Sequence, residues 1–290
     1  MRKKITSLLC LLLILTLLLP ESVQAYTISS KTLTEIYRLT YRYNNVSKTG
    51  GVALAGSSSL SRWQTAAADI ASYRTFTENQ VYNFGITGAT FQELLDARYI
   101  NAIVRTKPSV IVIYGANSLT VSRKKAARNR TVSNQATNAT IKFIERTRAA
   151  LRKQGVTGTR FLFVSAVKTP YHYKSCKSKS STCNIWKRID TFNSHLKKYA
   201  GIVPYCDYIN IEQYYYYSLP GKKNKTNLRY YLSGTALQDN TKTASAKAII
   251  GKTVVDPLFS TDLNHPGEAA YKMIWSKVAE KASALKRASL

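Results

Sequence analysis

The chain has 290 residues, 44% of them hydrophobic and 20% charged, which excludes a disordered or low-complexity polymer and leaves enough apolar material for a sizeable core. Its 43 Lys and Arg against 15 Asp and Glu give a formal net charge of +28, a surface that attracts polyanions. Specific nucleic-acid recognition would need a recognisable reading module, and the sequence shows none.

In chain order, Arg2, Lys3 and Lys4 form a positive start, an apolar stretch covers 8–19, and Val23-Gln24-Ala25 makes a small-residue cleavage site. The apolar stretch is shorter than the roughly 20 residues a spanning helix needs, and Pro20 and Glu21 end it. Residues 1–25 therefore read as a signal peptide cleaved after Ala25, with an uncleaved anchor as the alternative. Residues 26–290 read as one secreted or cell-surface domain with no transmembrane helix. Loss of Arg2, Lys3, Lys4 and Glu21 lowers the positive excess by only two. For an exported chain the polyanions to consider are acidic polysaccharide, wall polymers and anionic lipid head groups.

An extra N-terminal helix is expected over 32–43. After it, apolar β-branched runs at 52–55, 80–84, 109–114, 160–166 and 207–211 alternate with helical patterns at 60–72, 90–98, 133–153 and 184–200. That alternation predicts an α/β domain with a parallel sheet. In the helix at 133–153, Ile141, Ile144 and Leu151 share a face, and Gly155 stops it. A last helix starts after Pro266 and is expected to bury Ala270, Met273, Ile274 and Val278. Ligands of open parallel sheets bind beyond the carboxyl ends of the strands, so motifs that follow strands should converge on one edge.

Of the cysteines, Cys10 lies in the leader, while Cys176 and Cys183 flank a Lys/Ser loop they could close, leaving Cys206 odd. Their spacing matches no zinc pattern, and neither a metal nor a cofactor is expected.

Four short segments carry candidate chemistry. Gly56-Ser57-Ser58-Ser59 follows the first strand and precedes a helix, a turn that exposes a hydroxyl at the sheet edge, although Gly/Ser clusters are usually only turns. Asn83-Phe-Gly85-Ile-Thr-Gly88 follows the second strand; its glycines suit a tight turn and also let a backbone N–H approach a reacting carbonyl. Asn117, after the third strand, is either a turn residue or a side-chain donor to a developing oxyanion. Asp262 stands three residues before His265 and can bond one ring nitrogen, leaving the other to deprotonate a serine. His172 and His195 have no acid in a useful register.

Taken together in this order, the four segments resemble the sequence blocks of the SGNH (GDSL-like) hydrolase superfamily, over a span from about Val52 to the final helix that includes the Lys107-Pro-Ser-Val-Ile-Val-Ile-Tyr approach to Asn117. The resemblance implies a three-layer αβα sandwich with a parallel five-stranded sheet, the flavodoxin-like SGNH hydrolase fold. It implies Ser58 as nucleophile, an oxyanion hole formed by the N–H groups of Ser58 and Gly88 with the Asn117 side chain, and Asp262 and His265 as the rest of a triad. Ser57 stands where that family commonly has aspartate, and Ser118 where aspartate often follows the asparagine. With three serines in a row, a nucleophile one position away is the alternative.

Basic clusters follow three strands: Arg123-Lys124-Lys125 with Arg128 and Arg130, then Lys168, Lys174, Lys177 and Lys179, then Tyr214 to Tyr217 with Lys222, Lys223, Lys225 and Arg229. Arg123, Lys124, Lys125, Tyr214 and Tyr215 are the candidate substrate-binding residues. The expected function is an exported serine esterase removing small acyl groups, acetyl foremost, from an acidic polysaccharide or wall polymer. A lysophospholipase or lipase, a wall-polymer O-acyltransferase, and a non-catalytic polyanion-binding protein on the same fold are the alternatives. Oligomeric state has no sequence signal.

Overall fold

The computed structural model describes residues 27–46, 48–120, 129–169, 185–218, 226–231, 241–245 and 264–288. Its centre is a five-stranded, all-parallel sheet in the order β2-β1-β3-β4-β5. The strands are β1 (Val52–Gly56), β2 (Val81–Gly85), β3 (Val110–Tyr114), β4 (Arg160–Val164) and β5 (Cys206–Ile209).

Because successive strand residues point to opposite faces, the apolar runs feed two cores. Ala53, Ala55, Ile111, Ile113, Phe161 and Phe163 enter one core beneath α1 (Ser30–Arg42), α4 (Ala97–Arg105), α5 (Asn129–Lys153) and α6 (Ile185–Ile202). Val52, Leu54, Val110, Val112, Leu162 and Val164 enter the other, beneath α2 (Ser58–Ser61), α3 (Ala66–Ala71) and the final helical stretch. Both faces of the sheet are thus covered, which explains why its strands read as continuous rather than alternating apolar runs.

The predicted helix at 60–72 is two short ones. Trp63 turns inward to 1% exposure, its Nε1 donates to Asp69 Oδ2 at 2.6 Å, and Thr65 Oγ1 donates to the same oxygen at 2.8 Å, so Asp69 closes a second helical start. The helix predicted at 90–98 is displaced as well: a single 3₁₀ turn covers Glu93–Leu95, and α4 begins at Ala97 because Asp96 caps it, accepting from Arg98 N at 2.8 Å.

The C-terminal stretch consists of α8 (Glu268–Ala270), a π-helical turn (Tyr271–Trp275) and α9 (Ser276–Arg287). It buries Ala270, Ile274 and Val278 as predicted, while Met273 lies only partly covered and Trp275 takes the core position instead. The extra residue of the π turn shifts the apolar face, which a uniform period of 3.6 residues cannot anticipate. On α5 the buried face runs through Ala136, Thr140, Phe143, Ile144, Thr147 and Leu151, with Ile141 at its margin.

After α7 (Glu212–Tyr215) the chain adds a three-stranded antiparallel sheet, β6 (Tyr216–Ser218), β7 (Thr226–Tyr231) and β8 (Thr241–Ser245), where the sequence reading placed a basic, tyrosine-rich connection. Among the described residues no helix is long and apolar enough to cross a membrane, and no cluster of His, Cys, Asp and Glu could hold a metal ion. Residues 1–25, expected to be a signal peptide, lie outside the described residues, as do Cys176 and Cys183; Cys206 is a buried free thiol whose pKa burial pushes up to about 12.

Candidate active site

β1 ends at Gly56, whose φ of +151° and proximity to β3 admit no side chain: a Cβ there would lie 1.9 Å from the carbonyl oxygen of Tyr114. Ser57 N then donates to that same Tyr114 oxygen at 3.1 Å, and the chain turns into α2. Ser58 is the first residue of α2, where an N–H has no intrahelical acceptor. Ser57 and Ser59 are 3% and 5% exposed, whereas Ser58 is half-buried, and its Oγ lies 2.8 Å from Nε2 of His265.

A four-residue helix cannot hold its own geometry, so neighbouring residues fix it. Asn83 on β2 donates from Nδ2 to Leu60 O at 2.7 Å while its Oδ1 accepts from Gly85 N at 2.9 Å. Gly85 permits direct contact between β2 and α2, since a Cβ there would sit 2.3 Å from Ser61 N. Ser61 Oγ donates to Ser58 O at 3.0 Å and meets Thr87 Oγ1 at 2.9 Å. From the other side, the Tyr271 hydroxyl donates to Ser59 O at 2.7 Å, joining the helix that follows His265 to the turn that presents Ser58. Tyr271 itself stacks on Trp63, 6.4 Å between ring centroids and 16° between planes.

Gly88 adopts a left-handed φ of +88° in an exposed turn with open space where a side chain would be. The Asn117 side chain, in a 3₁₀ turn (Ala116–Leu119) just beyond β3, donates from Nδ2 to Gly88 O and, at 3.3 Å, to Ala89 O. The two residues expected to act together are therefore in contact, and for Asn117 to serve a bound oxyanion one of its N–H groups must leave these carbonyls. Ser118, where aspartate is common, is 2% exposed, and its Oγ accepts from Phe91 N at 2.9 Å, fixing the segment after Gly88.

Glu93 braces that segment from behind. Burial opposes its ionisation, but hydrogen bonds from Thr90 N (2.9 Å), Thr90 Oγ1 (3.1 Å) and Ser29 N (3.2 Å) outweigh it and hold the carboxyl below its ordinary pKa. Tyr114, at the end of β3, is pushed up to about 12 by burial and stays neutral beneath the site.

The approach to His265 is tied to the exit of β4: Thr169 Oγ1 donates to Asn264 Oδ1 at 3.3 Å, and Trp186 Nε1 donates to Thr169 O at 3.2 Å. Asp262 lies outside the described residues, as do Arg123, Lys124 and Lys125.

Two expectations are corrected. Tyr215 is 1% exposed and packs in the core, so it offers no face for a substrate; Tyr214 is half-buried, with Lys277 Nζ 5.1 Å from its ring centroid. Lys168, expected in the basic cluster that follows β4, is engaged in internal ion pairs: it pairs with Asp190 at 2.5 Å and Glu212 at 3.5 Å, its side chain only 14% exposed. Burial raises the Glu212 pKa, and Lys168 opposes that shift. Tyr271, Thr169 and Asn264 went unnoticed in the sequence, where no motif sets a tyrosine six residues past a histidine apart from any other helix tyrosine.

No protein-family model matches the chain, and no curated protein matches it by sequence. Its structure is similar to that of a proposed acylhydrolase from Bacteroides fragilis, at 13% identity and a TM-score of 0.56, over 88% of this chain and 97% of the other. It is also similar to a GDSL-like lipase from Bacteroides thetaiotaomicron, at 14% identity and a TM-score of 0.55, over 87% of this chain and 98% of the other. These likenesses show the fold: an α/β sandwich around a parallel sheet in the order β2-β1-β3-β4-β5, shared with the acylhydrolase and the GDSL-like lipase.

Proposed function

We propose that the chain is an exported serine esterase that removes small acyl groups, acetyl foremost, from an acidic polysaccharide or cell-wall polymer. The observation that carries the esterase reading is the 2.8 Å contact between Ser58 Oγ and His265 Nε2 at the carboxyl edge of the sheet, where the Gly88 turn and Asn117 also meet. In this reading His265 takes the Ser58 proton as Oγ attacks the ester carbonyl. The N–H groups of Ser58 and Gly88 and the Asn117 amide receive the oxyanion. The alcohol then leaves with the proton from His265, and a water activated by the same nitrogen hydrolyses the acyl-enzyme. Asp262, three residues before His265, orients and stabilises the imidazolium. No cofactor enters this scheme.

The polymer part of the proposal is supported by the net charge of +28 and by the signal-peptide pattern of the first 25 residues. A fluorophosphonate probe tests the nucleophile: labelled peptide should carry the probe on Ser58, and absence of label on folded protein would favour a non-catalytic binding protein. Measurement of acetate, fatty acid and D-alanine released from pectin, peptidoglycan, teichoic acid and lysolipids tests the substrate. Acetate from pectin or peptidoglycan is expected; fatty acid alone would replace the polymer reading with a lysophospholipase, and acyl groups recovered on added sugar acceptors would identify a transferase.

A further inference from the structure

Helix α1 buries Ile36 and Leu39 against the core, at 0% and 1% exposure, and turns Lys31, Tyr37, Arg38, Tyr41 and Arg42 to solvent. Tyr37 is 53% exposed and Tyr41 88%; with Ile202 they are the large hydrophobic side chains exposed among the described residues. One exposed tyrosine is unremarked on any surface. Two at i and i+4 lie side by side on one helix face.

Tyr37 is also held in place. The Arg98 guanidinium lies 5.0 Å from its ring centroid and Nη1 donates to its hydroxyl at 2.6 Å, while Asp96 anchors Arg98 at 2.6 Å. Such a ring has already lost the rotamer freedom that binding would otherwise cost. Around the pair α1 carries Lys31, Arg38 and Arg42 against the single acid Glu35, which bonds Arg38 at 2.8 Å. The helix starts at the catalytic edge, because Ser29 N donates to Glu93 on the segment after Gly88. With a rise of about 1.5 Å per residue, Tyr37 and Tyr41 lie on the order of 10–20 Å along the helix from that edge.

We propose that the outward face of α1 is an auxiliary glycan-binding surface, separate from the catalytic edge, in which Tyr37 and Tyr41 stack on sugar rings while Arg38 and Arg42 pair with the carboxylates of an acidic polysaccharide. The polymer's identity rests on the function proposed above; the surface itself rests on α1. A lipid surface fits less well, since membrane-seated helices present Trp, Phe or Leu to the acyl boundary, whereas the aliphatic residues Ile36 and Leu39 are buried in the protein. Stacked rings add to affinity by amounts that make each tyrosine worth about two- to tenfold.

The test is titration of oligogalacturonate into the full chain at physiological salt. Tyr41→Ala, which removes a ring already in solvent, should weaken binding about fivefold, and Tyr37→Ala with Tyr41→Ala should weaken it further, although neither change alters charge. Arg38→Gln with Arg42→Gln should weaken binding and flatten its salt dependence. Hydrolysis of p-nitrophenyl acetate should be unchanged in all of them, a separate readout of the esterase. If Tyr41→Ala and the double tyrosine variant, folded by circular dichroism, bind as the parent does, attraction is generic charge and the proposal is overturned. It is likewise overturned if the parent fails to bind oligogalacturonate, or if only phosphatidylglycerol vesicles show the Tyr41 dependence; the esterase assay would still stand or fall by itself.

Discussion

Tyr271→Phe removes one oxygen and leaves the ring that packs on Trp63 and Trp275 in place. What is lost is the 2.7 Å bond to the carbonyl of Ser59, a residue 5% exposed. A neutral hydrogen bond contributes about 0.5–1.5 kcal/mol net, and an acceptor left buried without it costs about 1–3 kcal/mol, so a loss of about 1–2 kcal/mol is expected. For a domain of this size that is a fall in Tm of about 2–8 °C. The bond does more than stabilise, because it spans the two segments whose side chains meet at 2.8 Å: α2 carries Ser58, and the stretch containing Tyr271 follows His265. A displacement between them changes the approach of nitrogen to oxygen, and small misplacements in such pairs cost up to about 10²-fold. The expected result with p-nitrophenyl acetate is a fall in kcat of about tenfold with KM little changed, measured well below the melting transition. A variant that melts lower yet turns over at the parental kcat would refute the positional role and leave Tyr271 a packing residue.

Asn117→Ala should lower kcat on an activated ester by about 10²-fold with little change in KM, as expected of a donor whose bond strengthens in the transition state; parental kcat would demote it to a brace for the Gly88 turn. Gly85→Ala places a Cβ 2.3 Å from the Ser61 backbone nitrogen, so α2 must move; a loss of about 1–3 kcal/mol or more with loss of activity is expected, and a fully active, stable variant would show that α2 tolerates the shift. Glu93 has a folded pKa below its ordinary value, so its contribution is present above the ordinary carboxylate range and is lost as pH falls through the folded pKa. Glu93→Gln should therefore destabilise by about 1–3 kcal/mol at pH 7, with the gap to the parent closing toward pH 3 in urea titrations; a gap independent of pH would mean that the charge does not matter there.

Strands were the most legible part of the chain because the three central ones, β1, β3 and β4, are runs of mostly apolar residues buried on both faces, a pattern that survives without knowledge of neighbours. Their termini shifted by only a few residues: the strand expected at 80–84 is Val81–Gly85, and that at 207–211 is Cys206–Ile209. Helices fared worse where an aspartate makes local bonds, to side chains in the case of Asp69 and to the backbone in the case of Asp96. Asp69 splits one and Asp96 starts another, and a propensity average cannot tell a capping aspartate from a solvated one. The antiparallel strands β6 to β8 escaped because threonine, lysine and asparagine dilute their apolar pattern. Within the site, Ser58 and His265 were legible as types in a familiar order, and their meeting across 207 positions accompanies the packing of the final helical stretch on the sheet. The braces were not: Asn83, Thr169 and Tyr271 act through backbone groups or short polar contacts whose partners are remote in sequence.

The charge shows most clearly what a sequence does and does not disclose. Some of the cations are structural: Lys168 lies between Asp190 and Glu212, and Arg188, 1% exposed, donates to Asn129 Oδ1 at 2.9 Å and to Leu119 O at 3.1 Å. Individual clusters are therefore poor guides to a substrate. The total is a better one, because the 15 acids cannot neutralise 43 cations however they pair. Several acids are already committed, Asp207 to Arg160 and Lys281, Asp96 to Arg98 and Glu35 to Arg38. An excess that internal pairing cannot absorb must face solvent or a polyanion, and its field extends about 8 Å at physiological ionic strength. Salt should therefore weaken capture of an anionic polymer while leaving hydrolysis of a small neutral ester intact, since the proposed mechanism uses Ser58 and His265 and none of the surplus cations.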